Sequence, residues 1–368
     1  MKPSLLWDAG PGELRAGLIE AGQLAEFRII RRRRDHALYA AGEHYTARIT
    51  SRVGPGKALV TLGGTREAIL QSAGKSAEGN LLAVEMTRAA VPEPGRWKLP
   101  LVRPAPGIAP QAEPGWHFSD EPWVLFLRRL APGLAEIVCP SAAVANEVRS
   151  DLGPAAPPLR IDAQAITDAD FTGLIAAAVL GEFPIAGGMV SIERTRAMTV
   201  IDIDGSGDPL TLNLAAAREI PRLLRLFDIG GPVGIDFLTL QGREARGALD
   251  MALAEACEVL GPHKRTAVSG FGFAQIVRPR SGPSIPELLC GTTPGRLSSE
   301  SRAIALLREA GRSTGHGKRR LIAPPAIIEL IRQWPVETGA LRFSLGVEIE
   351  LVADAAAIGY GHVHVIQS

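Results

Sequence analysis

The sequence lacks the features that mark secreted, metal-stapled or membrane-spanning proteins. Its 368 residues include three cysteines, Cys139, Cys257 and Cys290, which lie far apart and form no C-x-x-C pair. Neither a disulfide framework nor a structural zinc site is therefore indicated. The opening residues lack the apolar segment of a signal peptide, and no run approaches the roughly 20 apolar residues of a membrane span. We expect a cytoplasmic protein without a membrane partner.

Strong net charge and the common nucleophile motifs are also missing. The formal net charge is +1, so bulk charge neither supports nor excludes a polyanionic partner. The chain has no G-x-S-x-G elbow and no Cys–His motif, and GPGK at 54–57 lacks the rest of a phosphate loop. With 46% hydrophobic and 21% charged residues, the composition is that of a globular protein, and the length predicts two to four units.

The first hundred residues have a β-rich pattern. Two or three short strands are predicted within 1–34, ending in the basic run 31–34, which we expect to be either a solvated edge or a phosphate contact. Alternating strands with Gly and Pro turns then predict a small barrel of about five strands over 38–103. The Pro-rich stretch 104–115 is typical of a linker, and helices and strands alternate after it.

The stretch 187–283 alternates strand and helix. It predicts a hairpin over GGMVSIERTRAMTVIDIDG, then a helix, a buried strand over GPVGIDFLTL, a second helix and a third strand. This order indicates an α/β layer with adjacent, parallel strands. Asp202 and Asp236 interrupt two apolar, β-branched runs that we expect to be buried, and adjacent strands would place these aspartates side by side. A second Pro/Gly-rich stretch leads to a C-terminal unit, with strands predicted at LRFSLGVEIELVAD and GHVHVIQ.

The two aspartates leave two interpretations open. A buried carboxylate is costly unless it is paired, hydrogen-bonded or bound to a metal. Asp202 and Asp236, with Asp204 on the same strand face, have the oxygen ligands that magnesium prefers. Alternatively, each aspartate caps a helix or meets an arginine, and spacing alone does not decide. A calcium loop over DIDGSGD is disfavoured because its twelfth position is Asn213 rather than a glutamate.

Three stretches closely resemble the catalytic core of the ribonuclease E/G family: GGMVSIERTRAMTVIDID, LNLAAAREIPRLLRLFDIGGPVGIDFL and SGFGFAQIVRPR. The resemblance implies a cytoplasmic, magnesium-dependent endoribonuclease that cuts single-stranded RNA, with a multidomain α+β and α/β fold. The implied layout is a ribonuclease H-like subdomain (1–37 and 116–183), an OB-type RNA-binding barrel (38–103), a linker (104–115), a deoxyribonuclease I-like catalytic domain (184–283), a second linker (284–296) and a small C-terminal domain (297–368).

The resemblance also implies roles for individual residues. Asp202 and Asp236 match the two magnesium-binding aspartates of the family, and Asp204 stands where an asparagine is usual. Manganese is a possible substitute for magnesium. Arg225 matches an arginine at a helix end. The predicted RNA-binding residues are Arg225, Lys264, Arg265, Arg278 and Arg280.

Several positions depart from the family pattern. Gly270 replaces an arginine, Phe227 replaces a second arginine, and the stacking aromatics of the barrel correspond to Leu59 and Ile69. The 5′-monophosphate sensor and the zinc-linking cysteine pair have no counterpart, so no zinc is expected, while a homodimer through the C-terminal unit stays open. The main hypothesis is an active endoribonuclease. The alternatives are an RNA-binding adaptor without catalysis and, more remotely, a nuclease acting on DNA or on structured RNA.

Overall fold

The structure, a computed structural model, describes residues 2–32, 41–117 and 121–366. Arg33 and Arg34 of the predicted basic run lie outside these residues. The chain opens with an antiparallel meander of three strands: β1 (Ser4–Gly10), β2 (Glu13–Glu20) and β3 (Gln23–Arg31). Tight turns at residues 11–12 and 21–22 join them.

A closed five-stranded barrel follows, as the sequence predicted. Its strands pair in the order β4–β5–β6–β10–β7, and β7 pairs back onto β4 to close it. Antiparallel β11 extends it beside β4, and the hairpin β8–β9 projects from it. The strands are β4 (His44–Gly54), β5 (Lys57–Thr61), β6 (Glu67–Gln71), β7 (Leu81–Arg88), β8 (Val91–Glu93), β9 (Arg96–Lys98), β10 (Leu101–Pro104) and β11 (Gly115–Trp116).

The chain then returns to the first sheet. β12 pairs parallel to β1 and β13 parallel to β12, giving the order β13–β12–β1–β2–β3. This sheet is therefore divided in sequence by the barrel. The elements are α1 (Pro122–Leu130), β12 (Glu136–Cys139), α2 (Ala142–Leu152), β13 (Leu159–Ile161), α3 (Ala163–Asp168) and α4 (Phe171–Leu180).

A mixed six-stranded sheet comes next, in the order β14–β15–β16–β17–β19–β18. β15 and β16 form the predicted hairpin, and the crossover helix α5 makes β17 parallel to β16. β19 is antiparallel to β17, so the expectation of parallel strands is correct for one pair and wrong for the other. The elements are β14 (Glu182–Ile185), β15 (Gly188–Arg194), β16 (Thr199–Gly205), α5 (Pro209–Leu226), β17 (Gly231–Asp236), α6 (Arg243–Ala256), β18 (Lys264–Arg265) and β19 (Phe273–Arg278).

The C-terminal unit packs helices on a small sheet of order β21–β20–β22. The segment 284–296, expected to be a linker, contains α7, and the strand predicted from Leu341 begins eight residues later because α10 continues to Leu345. The elements are α7 (Ile285–Cys290), α8 (Ser299–Arg312), β20 (Lys318–Ala323), α9 (Pro325–Arg332), α10 (Pro335–Leu345), β21 (Ile349–Ala353) and β22 (His362–Ile366).

Helix α5 connects the two large sheets. Asp208 caps its first turn by accepting a hydrogen bond from the Thr211 N–H at 2.9 Å, and Pro209 occupies the first helical position, where its missing N–H costs nothing. The buried face of α5 contributes to one hydrophobic core that also includes Phe27 of the first sheet and Ile201 of the second. Because one face of the mixed sheet packs against this core, its other face is left to carry polar groups.

A buried ionic cluster ties α8 to the first sheet. Arg308 contacts Asp8 and donates a hydrogen bond to the Glu13 carbonyl oxygen, while Glu13 also pairs with Arg15 and Arg31. Burial alone would raise the pKa of Glu13, but the three guanidinium charges outweigh burial and lower it. Arg31, expected at a solvated edge or a phosphate contact, is 8% exposed and belongs to this cluster.

One described stretch, Ala163–Leu180, is long and apolar enough to cross a membrane by length and composition alone. A single stretch of this kind is weak evidence. Asp170 has a left-handed conformation and caps α4 by accepting a hydrogen bond from Gly173, which divides the stretch into α3 and α4. The absence of a membrane partner stays a prediction.

Candidate active site on the open face of the mixed sheet

The two predicted aspartates lie on the exposed face of the mixed sheet. Ile201 and Ile235 point into the core, and the next residue on each strand, Asp202 or Asp236, points the other way and is exposed. This is the period-2 alternation of a sheet with one buried face. The expectation that these carboxylates are buried was wrong, because only the residues on one face of each strand point into the core. Both carboxylates stay hydrated, so burial does not force either of them to have a partner.

Strand pairing brings the two aspartates together. In the parallel ladder of β16 and β17, Asp202 is the register partner of Asp236. Neighbouring strands lie about 4.8 Å apart, so both carboxylates project from adjacent positions on the same face. Crossover helix α5 makes this possible, because it returns the chain to begin β17 in parallel beside β16.

Neither aspartate has a structural partner. Within the described residues, the Asp202 and Asp236 side chains have no hydrogen bond or ion pair. The N-cap residues of α5 and α6 are Asp208 and Gly242, so these two acids cap neither helix. The capping and arginine-pairing interpretations therefore fail. Two adjacent, unpaired carboxylates fit a hard divalent cation, which prefers oxygen ligands and keeps several waters.

The site is a pair rather than a larger cluster. Across residues 2–32, 41–117 and 121–366, no group of three or more His, Cys, Asp or Glu side chains is arranged to hold a metal ion. Asp204 is exposed, two residues further along β16, and its register partner is Met189 on β15. Its role as an additional ligand stays a prediction.

Asn213 on α5 fixes the segment that follows Asp236. Its side chain is 0% exposed, donates to the Leu238 carbonyl oxygen at 2.8 Å and accepts from the Leu238 N–H at 3.0 Å. This two-way clamp holds the backbone two residues after the aspartate. In the calcium-loop interpretation Asn213 was only the twelfth position; a polar residue on the apolar face of a predicted helix is the sequence signal for this clamp.

Replacing Asn213 with leucine is expected to lower the free energy of unfolding by about 1–3 kcal/mol, because both backbone groups of Leu238 lose their partner. Urea unfolding followed by circular dichroism measures this change. Asn146→Leu is the control, since Asn146 is exposed on α2. Equal unfolding midpoints for the two variants would contradict the clamp.

Arg225, predicted to bind RNA, is engaged within the protein. It makes two 2.7 Å hydrogen bonds to the Glu20 carboxylate and one of 3.2 Å to Glu26, across the junction of the two large sheets. The hydrogen bonds to Glu20 raise its pKa. These contacts give Arg225 a structural role, and its phosphate-binding role stays a prediction.

The other predicted RNA-binding residues differ in availability. Arg265 pairs with Asp250 at 2.6 Å, and Arg280 pairs with Glu287. Arg278 donates to the carbonyl oxygens of Leu224 and Ile229, both at 2.8 Å, and burial lowers its pKa. Lys264 is exposed and has no side-chain partner among the residues described. Of the five, Lys264 is the side chain free to meet a phosphate.

Two phenylalanines also lie beside the pair. Phe273 is the register partner of Asp236 across the β17–β19 ladder, and Phe271 precedes it in the turn. The glycines of SGFGF form the turn that enters β19. When apolar and polar residues do not alternate clearly along a strand, the sequence does not predict which of its apolar residues are exposed.

The region that contains the mixed sheet is similar to a known protein family. Residues 174–281 match the family model described as the Ribonuclease E/G family. This segment is similar to the ribonuclease E/G family. The ribonuclease E/G segment includes all six strands of the mixed sheet, and therefore both aspartates, the Asn213 clamp and the two phenylalanines.

Curated relatives agree with this assignment. Ribonuclease E of Escherichia coli (strain K12) is 32% identical over 139 residues, which is 33% of this chain and 13% of that protein. Ribonuclease G of Haemophilus influenzae is 31% identical over 122 residues, 30% of this chain and 24% of that protein. Ribonuclease G of Escherichia coli (strain K12) is 31% identical over 121 residues, with the same coverage. The matches thus span a quarter or less of these relatives.

Proposed function

We propose that this protein is a magnesium-dependent endoribonuclease that cleaves single-stranded RNA. The observation that carries the proposal is the register pairing of Asp202 with Asp236, both exposed and without a protein partner in the described chain, within a ribonuclease E/G segment. Such a pair has no structural task in the sheet that an asparagine or threonine would not serve equally well. An exposed pair without protein partners fits a ligand role.

In this proposal Asp202 and Asp236 hold the metal, and Asp204 lies within the same face to assist. A bound magnesium ion would lower the pKa of a coordinated water and offset charge on the phosphodiester. The open sheet face leaves room for an extended, unpaired strand to lie across them. The expected products carry a 5′ phosphate and a 3′ hydroxyl.

The remaining units fit around this site. We propose that the divided sheet is the ribonuclease H-like subdomain, the closed barrel the OB-type RNA-binding module, and the mixed sheet the deoxyribonuclease I-like catalytic domain. The β8–β9 hairpin links barrel and catalytic unit, because the Arg196 guanidinium donates to the Pro94 carbonyl oxygen at 3.1 Å. RNA held by the barrel would thus reach a sheet to which the barrel is anchored. We also propose a cytoplasmic location.

The adaptor alternative has less support. It rested partly on Phe227, where an arginine was expected from the resemblance. Phe227 is 0% exposed and its ring lies 5.4 Å from that of Phe183, so the substitution serves core packing. Loss of an arginine there does not by itself argue for loss of catalysis.

Gly270 offers a gain-of-function test. A Cβ added at this position would meet nothing within 4 Å, and Gly270 does not have a positive φ, so an arginine fits without strain. Gly270→Arg is expected to tighten RNA binding and to steepen the dependence of log affinity on log salt by about 0.7, the increment for one added contact to single-stranded phosphate.

Fluorescence anisotropy with a labelled single-stranded RNA at several salt concentrations measures this slope. Gly339→Arg, on α10 of the C-terminal unit, adds the same charge at a position with equal space and serves as the control. Identical slopes for the two variants would mean that RNA does not pass beside Gly270.

End-group analysis tests the proposed reaction. The purified protein is incubated with a single-stranded RNA labelled at either end, and the products are treated with a 5′-phosphate-dependent exonuclease. Fragments that this exonuclease degrades support hydrolysis with a 5′ phosphate. Fragments with 5′ hydroxyls and cyclic phosphates would indicate attack by the RNA 2′-hydroxyl, and the proposed mechanism would then be wrong.

A further inference from the structure

An exposed pair of phenylalanines occupies the turn and strand start beside the candidate active site. Phe271 is 88% exposed and Phe273 is 39% exposed. Water contact with a large aromatic surface is unfavourable, and aromatic side chains normally gain stability by burial. Two such residues, one in the turn and one at the start of β19, therefore call for an occupant.

The strand register places Phe273 in line with the aspartates. Asp202 pairs with Asp236 across β16 and β17, and Asp236 pairs with Phe273 across β17 and β19. Side chains of register partners project from the same face of a sheet. An aromatic ring and two carboxylates thus form one row across three neighbouring strands.

The ring of Phe273 lies over the sheet rather than pointing away from it. A Cβ added at Gly234 would come within 2.8 Å of the Phe273 ring and 3.0 Å of the Met198 sulfur. Gly234 lies two residues before Asp236 and therefore on the same face. Glycine at this position leaves the space that the Phe273 ring occupies, so the ring lies on the face that carries Asp236.

Phe271 is held in place by its turn. The Ser269 hydroxyl oxygen accepts hydrogen bonds from the Phe271 N–H at 3.3 Å and the Phe273 N–H at 3.1 Å. Gly272 has a φ of +86°, and its carbonyl oxygen accepts from the N–H of Phe237, the residue after Asp236, at 3.1 Å. The backbone that carries the exposed ring of Phe271 is thus fixed to the segment that follows Asp236.

The chemistry of the row favours a nucleobase over a protein surface. A protein partner that covered the phenylalanines would also desolvate the unpaired carboxylates of Asp202 and Asp236, which is costly. A base stacks on an aromatic face while the backbone beside it stays hydrated, and stacking on aromatic residues is the usual way in which unpaired bases are held.

We propose that Phe271 and Phe273 form a stacking platform for a base of single-stranded RNA next to the phosphodiester that the aspartates face. This proposal rests on the proposed function and adds to it the element that selects unpaired substrate. A base in a duplex is stacked on its neighbours and does not offer a free face to the platform, whereas an unpaired base does.

Binding measurements without magnesium test the platform independently of cleavage. The protein is titrated into a single-stranded RNA that contains 2-aminopurine, in buffer with a chelator, and both affinity and fluorescence quenching are recorded. Phe271→Ala is expected to weaken binding by at least about fivefold and to remove the quenching. Phe271→Trp should retain both, because it keeps an aromatic face. Phe343→Ala, at a 91% exposed residue of α10, should behave like the wild-type protein.

Each other outcome has a distinct meaning. If the wild-type protein binds RNA and Phe271→Ala binds it equally well with unchanged quenching, the platform is refuted while the proposed function stands. If sedimentation shows that Phe271→Ala abolishes self-association without changing RNA binding, the platform is a protein interface and the proposal is wrong. If the wild-type protein binds no single-stranded RNA, the proposed function fails and the platform with it.

Discussion

Asp202→Asn is expected to reduce cleavage of single-stranded RNA by about 10²- to 10³-fold while RNA binding is retained. The substitution keeps the size of the side chain and removes one of the two charges that face a bound cation. Because Asp202 is exposed and has no partner in the described residues, its replacement breaks no hydrogen bond or ion pair of the fold. Initial rates with a fluorogenic RNA and anisotropy with the same RNA measure the two quantities.

Glu193→Gln is the matched control for this variant. Glu193 is exposed near the far end of the β15–β16 hairpin, opposite Val200, so the change removes one carboxylate charge from the same region without touching the pair. It should cleave RNA at close to the wild-type rate. Undiminished magnesium-dependent cleavage by purified Asp202→Asn protein would remove the aspartate pair from the mechanism.

Arg308→Met is expected to lower the free energy of unfolding by about 3–5 kcal/mol. The Arg308 side chain is 4% exposed and lies between Asp8 and Glu13, whose side chains are 9% and 1% exposed. Methionine has a similar length but no charge, so both carboxylates would stay buried with one cationic partner fewer. Urea unfolding followed by tryptophan fluorescence measures the change, since Trp7 lies next to Asp8 in β1.

Arg312→Met is the control that separates the effect of burial on stability from the effect of removing one positive charge. Arg312 also pairs with Asp8, at 3.0 Å, but its side chain is 54% exposed. Solvent-exposed ion pairs contribute about 0–1 kcal/mol, so this variant should unfold close to the wild-type midpoint. If the two variants lost equal stability, the cluster would not act as a buried network linking α8 to the first sheet.

The barrel, the hairpin and the parallel neighbour strands were predictable from sequence because each has a local signal. Gly and Pro turns separate the alternating barrel strands, and an amphipathic helix long enough to cross the sheet precedes β17. From that crossover, the adjacency of Asp202 and Asp236 followed. The direction of β19 was not predictable in the same way, because a helix can return the chain to either end of a strand.

The contacts that the sequence could not reveal join residues far apart in the chain. Arg31 is next to other arginines in sequence, which suggests an exposed basic edge, yet its partners are Glu13 and Ser301. The latter lies on α8 in another unit. Likewise, the sequence does not reveal the exposure of Phe271 and Phe273, because it depends on the turn before β19 and on the pairing of β19 with β17.

The most direct measurement is the cleavage of a fluorogenic single-stranded RNA by the purified wild-type protein, with magnesium and after chelation. We expect cleavage in the presence of magnesium, its loss on chelation and its recovery when magnesium is restored. RNA that is bound but left intact in magnesium would contradict the account and would make the protein an adaptor.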